Sequence, residues 1–270
     1  VAFVVHVGRD AAVEAADRIT AELTSAGVDV VDADTAADLV VAVGGDGTFL
    51  RGAHLASMTD VPVLGVKVGR MGFLTQVEPA DARGLIIDAL AGGTPIEDRL
   101  AVVAELDAAA GSGSQWGMNE IMVEKRARQR LIRLRLEVDG AYVTTFSADG
   151  VIVATPTGST AYSFAARGPI VSPDVECLLV TPIAAHMVFD RAFVLASTQV
   201  VTLRVVGEEP GVVSADGRET VELPVGSEVT VRAAPRRARF VRPVGGQRFL
   251  DRVRDKFDLP GDPDDVGGPG

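Results

Sequence analysis

Leu39-Val40-Val41-Ala42-Val43-Gly44-Gly45-Asp46-Gly47-Thr48 is the stretch that decides the fold class. An apolar run reads as a buried strand, and it stops on small residues and one carboxylate. Open α/β sheets place their ligands at the carboxyl ends of such strands. Gly44, Gly45 and Gly47 let backbone N–H groups approach a bulky anion. An Asp in that turn does not attract phosphate by charge. A base, a metal contact or an acceptor for a sugar hydroxyl suits Asp46 better, and a carboxylate capping the following helix is the plain alternative.

Outward from this turn, strand and helix alternate. Ala2 to Val7 reads as a strand. Asp10 is placed to cap a helix with apolar positions Val13, Ala16, Ile19 and Leu23, and Gly27 stops it. Val28–Val31 and Val61–Val66 read as further strands, and Thr48–Ser57 as a helix. A second glycine turn, Gly65, Gly69 and Gly72, ends in Phe73-Leu74. Asp81–Leu90 reads as a helix closed by Gly92-Gly93.

After about Arg99 the period becomes two. Leu131, Leu134, Leu136 and Val138 interleave with Arg133, Arg135 and Glu137, and Asp139-Gly140 is a hairpin signal. Short strands follow at Ala141–Phe146, Val151–Ala154, Val194–Leu195, Val200–Val205, Gly211–Ala215 and Ser227–Val231. The expectation is an α/β domain over 1–97 plus 248–270, and an antiparallel sheet-on-sheet domain over 98–247. Phe249–Phe257 reads as a terminal helix returning to the first domain, and 258–270 as frayed.

Composition bounds the function. The chain has 270 residues, 47% of them hydrophobic, so it has material for two real cores. A net charge of −11 argues against general nucleic-acid binding, which needs a basic face. No apolar run approaches a membrane span, and no basic-then-apolar leader opens the sequence. Cys177 is the single cysteine, so intrachain disulfides are ruled out and a reducing cytoplasm is the expected compartment. His6, His54 and His186 have no metal-ligand spacing; the first two read as structural or surface residues.

A second constellation lies downstream. Asn119-Glu120 pairs an amide with a carboxyl, which suits a ribose diol or an adenine edge. Asp149-Gly150 precedes a strand, then comes Thr155-Pro156-Thr157-Gly158-Ser159-Thr160-Ala161-Tyr162-Ser163. Hydroxyls and amides at a turn suit a polar ligand, and Tyr162 could stack on a heterocycle or simply pack. Lys125, Arg126, Arg128, Arg130, Arg133 and Arg135 form either a solvated hairpin face or a contact for a polyanion. Met118 and Met122 read as core.

Taken together these pieces resemble bacterial, actinobacterial-type NAD kinases. The matching stretches are Gly44–Thr48, Gly65–Leu74, Asn119-Glu120, Asp149–Tyr162, Thr181-Pro182 with His186, Asp216-Gly217-Arg218 and Asp251 to Phe257. The glycine turn alone also resembles lipid kinases and phosphofructokinase-like enzymes, whereas Asp149–Tyr162 with Asn119-Glu120 is far more specific. The resemblance implies a Rossmann-like α/β domain, a C-terminal antiparallel β-sandwich, and NAD held between them in a homodimer or homotetramer. It implies transfer of the terminal phosphate of ATP, or of inorganic polyphosphate, to the 2′-hydroxyl on the adenosine side of NAD, with Mg²⁺ accompanying ATP. By position, Asp46 becomes the catalytic base. Gly47, Phe73, Asn119, Glu120, Asp149, Thr160, Ala161 and Tyr162 join it at NAD, with Ser163 and His186 as further candidates. Gly44, Gly45, Gly47, Thr48, Arg51, Lys67 and Arg70 become donor-phosphate residues. Lys67 stands where the family usually has Asn, Arg167 where it has Gly, and Ala165 where a polar residue is common. A diacylglycerol- or sphingoid-type lipid kinase and a non-catalytic dinucleotide-binding homologue are the alternatives. The sequence shows no amphipathic basic helix for a lipid surface.

Overall fold

The computed structural model describes residues 1–33, 35–69, 72–187, 189–243 and 245–260. The chain begins with β1 (Ala2–Val5), α1 (Asp10–Ser25), β2 (Val40–Gly44), α2 (Asp46–Thr59), β3 (Val63–Lys67), α3 (Pro79–Leu90) and β4 (Ile96–Arg99). Twelve more strands follow: β5 (Val102–Leu106), β6 (Gly113–Gly117), β7 (Glu120–Lys125), β8 (Ile132–Val138), β9 (Ala141–Ala148), β10 (Gly150–Ala154), and, after the short helix α4 (Tyr162–Ala165), β11 (Cys177–Ile183), β12 (Phe193–Ala196), β13 (Val201–Val206), β14 (Gly211–Ala215), β15 (Val221–Leu223) and β16 (Glu228–Ala233). The chain closes with β17 (Ala238–Val241) and α5 (Phe249–Lys256).

Two compact units result, Val1–Glu97 with Arg239–Gly270, and Asp98–Ala238. The chain rejoins the first unit at Arg239 rather than at 248, because β17 adds a strand to the first sheet. That sheet has the order β1-β2-β3-β17-β4. β1, β2 and β3 run parallel, with Val41 opposite Phe3 on one side and Leu64 on the other. Every residue of β2 is buried, as a parallel strand covered on both faces requires. Helix α1 lays Ala12, Ala15, Ala16, Ile19 and Leu23 against this core. Val13, expected on that face, is partly exposed because it lies one position off the buried stripe. Val28–Val31 does not make a strand: only Val31 bridges, to Ala2, while Asp29 accepts from the amino terminus.

The second unit stacks two six-stranded sheets, β12-β11-β10-β7-β14-β15 and β6-β5-β16-β13-β8-β9. Leu134 and Leu136 of β8 share one core cluster with Val151 and Val153 of β10, so the sheets pack face to face. Ile132 rather than Leu131 opens the buried face of β8, and a register shift follows at Leu136/Glu137. Asp139 and Gly140 turn the hairpin with φ of 51° and 77°. Among the described residues no helix is long and apolar enough to cross a membrane.

One contact couples this architecture to the glycine turn. Phe49 of α2 is buried against Phe240 of β17, with ring centroids 4.9 Å apart. It lies across Gly65 of β3, where a Cβ would fall 2.6 Å from the ring and 3.1 Å from the Thr75 backbone. Gly65→Ala is therefore expected to lift α2 from the sheet and cost about 1–3 kcal/mol, read as a lower Tm in thermal denaturation. An unchanged Tm would show that Phe49 yields without cost.

Candidate functional site

The glycine turn is tighter than a loop. β2 runs through Gly44, Gly45 is the helix N-cap, and Asp46 is already the first residue of α2. The helix expected from Thr48 thus starts earlier, and the free amides of its first turn face outward from the strand end. Gly44 is required by close approach: a Cβ there would lie 2.6 Å from Thr48 Oγ1.

Asp46 does not cap its own helix; no side chain does so at this terminus. Its carboxylate instead reaches the second glycine turn and accepts the amides of Phe73 at 2.9 Å, Leu74 at 3.0 Å and Thr75 at 3.4 Å. Gly72 leaves room for this, since any Cβ there would overlap the carboxylate. An ionised carboxylate offers about four acceptor directions, so roughly one stays open for a further donor.

Beside the turn lies a pocket of about 440 Å³ lined by His6, Arg9, Gly45, Gly47, Thr48 and Arg51. Arg9 donates to Val68 O at 2.8 Å, and Arg51 to Val5 O at 3.3 Å. Thr48 Oγ1 is buried with no hydrogen-bond partner among the described residues. Two guanidinium groups over a helix N-terminus make an anion pocket. Arg9 and His6 were not among the expected residues. The signal for them was that their loop also follows the carboxyl end of a parallel strand. Arg9, not Asp10, holds the N-cap position of α1. Lys67 does not reach this pocket's lining; its ammonium is paired with Glu78 at 2.5 Å. Arg70 lies outside the described residues. The Phe73 ring packs on Phe257, centroids 5.9 Å apart, so the residue after α5 touches the second glycine turn.

In the second unit, Asn119 and Glu120 sit where β6 turns into β7, both buried. Asn119 Oδ1 and Glu120 Oε2 have no hydrogen-bond partner among the described residues. Burial, and then the neighbouring Asp216 carboxylate, push Glu120 up to about 8. Asp216 is itself raised by burial, against the pull of three backbone amides and Arg218. The Thr157–Thr160 turn follows β10, and Gly158 packs so closely on Asn119 O that a side chain is excluded. Thr160 donates to Thr157 O at 3.3 Å, Ala161 is half-buried, and Tyr162 is 42% exposed. Ser163 turns inward and shares a hydrogen bond with Thr181 at 3.0 Å, which occupies the hydroxyl inside the fold. Asp149 is paired with Lys125 at 2.5 Å, and His186 is exposed with its amide on Ser147 O.

Much of the basic run is spent on the protein's own acids. Arg126 pairs with Glu222, Arg130 with Glu209 and Arg135 with Glu137, as a solvated hairpin face would do. Met118 is fully buried.

Known proteins carry the same plan. Residues 32–94 match the ATP-NAD kinase N-terminal domain, and residues 118–243 the ATP-NAD kinase C-terminal domain. NAD kinase 2 of Streptomyces avermitilis is 38% identical over 280 residues, spanning 94% of this chain and 93% of that protein. NAD kinase of Rhodococcus erythropolis is 40% identical over 233 residues, 85% of this chain and 73% of that one. The chain belongs to the NAD kinase family.

Solved structures agree. Yeast NADH kinase complexed with NADH aligns with a TM-score of 0.84 at 25% identity, over 96% of this chain and 86% of that one. An NAD kinase from Archaeoglobus fulgidus in complex with ATP aligns with a TM-score of 0.73 at 28% identity, over 91% and 95%. Arg167 stands at φ 67°, in the left-handed region that favours glycine.

The raised Glu120 has a consequence for stability. The unfolded chain ionises this carboxyl near 4.5, the folded chain near 8. Between those values the unfolded state binds fewer protons, so stability falls as pH rises, by up to about 1.4 kcal/mol per pH unit from this one group. Glu120→Gln is expected to flatten that fall across pH 5–8. Tm measured against pH for both proteins checks it, and parallel curves would count against a buried, uncharged Glu120.

Proposed function

We propose that this chain transfers the terminal phosphate of ATP to the 2′-hydroxyl on the adenosine ribose of NAD, making NADP. The observation that carries this reading is Asp46, a carboxylate held by three amides at the first turn of a helix whose N-terminus also lines a basic pocket. In the proposed step Asp46 accepts the 2′-hydroxyl proton as that oxygen bonds to phosphorus. The bond from phosphorus to the bridging oxygen breaks, and ADP leaves with the electron pair. Arg9, Arg51, Thr48 and the amides of Gly45 and Gly47 hold the donor phosphates. Asn119 and Glu120 hold the ribose of NAD, which supplies partners for their two orphaned oxygens. The Thr160–Tyr162 segment lies along the adenine, and Asp149 faces the nicotinamide side.

Mg²⁺ completes the donor as its phosphate complex, neutralising charge on the transferred group. Such an ion keeps several waters and leans on substrate phosphates rather than on a protein cage. Among the described residues no group of three or more His, Cys, Asp or Glu is placed to hold a metal. A pocket that recognises phosphates at a helix end also suits inorganic polyphosphate, so both donors belong in the assay. We further propose a cytoplasmic homodimer or homotetramer. The support for assembly is the apolar edge at β12, where Val194 is 59% exposed and Phe189 pairs with Phe193 at 5.0 Å.

The test is direct. The protein is incubated with NAD, Mg²⁺ and either donor, and NADP is followed with an NADP-specific dehydrogenase. Asp46→Asn is expected to lower kcat by about 10²–10⁴-fold while NAD binding is largely kept. Near-normal turnover in that variant removes Asp46 from the base role. NAD binding without NADP from either donor favours a non-catalytic homologue, and turnover of a diacylglycerol or sphingoid base instead favours a lipid kinase.

A further inference from the structure

Asp216 lies in the turn after β14, with φ of 51°, and Gly217 follows at 65°. Its carboxylate faces the connection between β6 and β7 and accepts three consecutive amides. Met118 donates to Oδ2 at 2.8 Å, and Asn119 and Glu120 donate to Oδ1 at 2.8 and 3.1 Å. The Asp216 amide answers by donating to Glu120 O at 3.1 Å. Arg218 ties the same corner down, donating to Ala215 O and Trp116 O.

The pinned turn then pins another segment. Asn119 O accepts the Thr155 amide at 2.8 Å, and Met118 O accepts the Thr155 hydroxyl at 2.7 Å. That hydroxyl accepts the Gly158 amide at 3.1 Å, which sets the turn leading to Thr160 and Tyr162. All of these bonds are backbone or backbone-directed, so the side chains of Asn119 and Glu120 stay unspent.

We propose that Asp216 is the positioning residue for NAD in this enzyme: it fixes Asn119 and Glu120, and through Thr155 the Thr157–Tyr162 segment, without itself touching the dinucleotide. This rests on the proposed NAD-binding role of those residues. The charge of Asp216 also bears on Glu120, which it raises, while Arg218 offsets that charge. Asp216→Asn keeps the size but places an NH₂ group among amide donors and removes the charge. A charge-assisted hydrogen bond contributes about 1.5–3 kcal/mol, so its loss should raise the KM and Kd for NAD by about ten- to a hundredfold.

The experiment measures Kd for NAD by calorimetry from pH 6 to 9, KM for NAD and for ATP, and Tm, in wild type and Asp216→Asn. The expected result is a selective rise in the NAD constants, a near-constant KM for ATP, and a pH limb of NAD binding displaced to lower pH. Equal rises for both substrates, or an unmoved pH limb, would show a merely structural aspartate and overturn the proposal. Should Asp216→Asn not fold, Thr155→Val cuts the relay beyond Asp216. It must weaken NAD several-fold with the pH limb unmoved, and unchanged NAD binding there overturns the proposal as well. Wild-type protein that binds NAD yet forms no NADP defeats the proposed activity, and the calorimetric constants alone then decide the role of Asp216.

Discussion

A partly buried carboxylate that accepts three consecutive backbone amides is the interaction on which both candidate sites depend. Asp46 does this for residues 73–75 and Asp216 for residues 118–120. The physics is the same in each unit. A turn that leaves a strand exposes amides with no ladder partner, and an unpaired buried amide is costly. A carboxylate is the one side chain that can take several donors at once, and charge makes each bond stronger. In return, burial of the charge is made tolerable by the bonds it receives. The turns become rigid without using the side chains that project from them. Glycine marks the device: Gly72 and Gly117 stand where the carboxylate or its turn leaves no room for a Cβ.

The two clamps differ in what they leave over. Asp46 is the first residue of a helix, and its chain neighbours Gly45 and Gly47 line the basic pocket. Its orientation is fixed by the amides it accepts. Asp216 is spent on its amides, and the side chains of Asn119 and Glu120, which it holds, are left over. Its cost appears in Glu120, forced by burial and by that nearby charge into an uncharged state around neutral pH. Two carboxyls this close are unfavourable for folding, and Asn119 adds an unpaired oxygen. Such a debt in a native protein is the mark of a site built for a partner rather than for stability.

Much of this was legible in the chain. The run into Gly44 carried the parallel strand, because only a strand buried on both faces is apolar at every position. Period two carried β8, and Asp139-Gly140 carried its hairpin. What escaped was set by contacts distant in sequence. Asp216 and Asn119 are separated by 97 residues, and neither local spacing nor propensity records that one holds the other. β17 is too short to announce that it belongs to the first sheet, so the return of the chain was placed late. Nothing local marks Arg9; only the pairing of β1 beside β2 brings it to the glycine turn. The basic run was open between a solvated face and a polyanion contact, because two of its acids, Glu222 and Glu209, lie more than 75 residues downstream.

A chain with a net charge of −11 repels ATP at long range, so affinity for the donor must be local. Arg9 and Arg51 place positive charge at a helix N-terminus, while Lys67 is paired with Glu78. Around Asn119 the chemistry differs: Glu120 is buried and uncharged around neutral pH, and Asn119 Oδ1 and Glu120 Oε2 lack partners among the described residues, a set that suits the hydroxyls of a sugar. Two kinds of recognition thus fall to separate units, charge at a helix N-terminus in the first and neutral hydrogen bonding at the Asn119–Glu120 turn in the second.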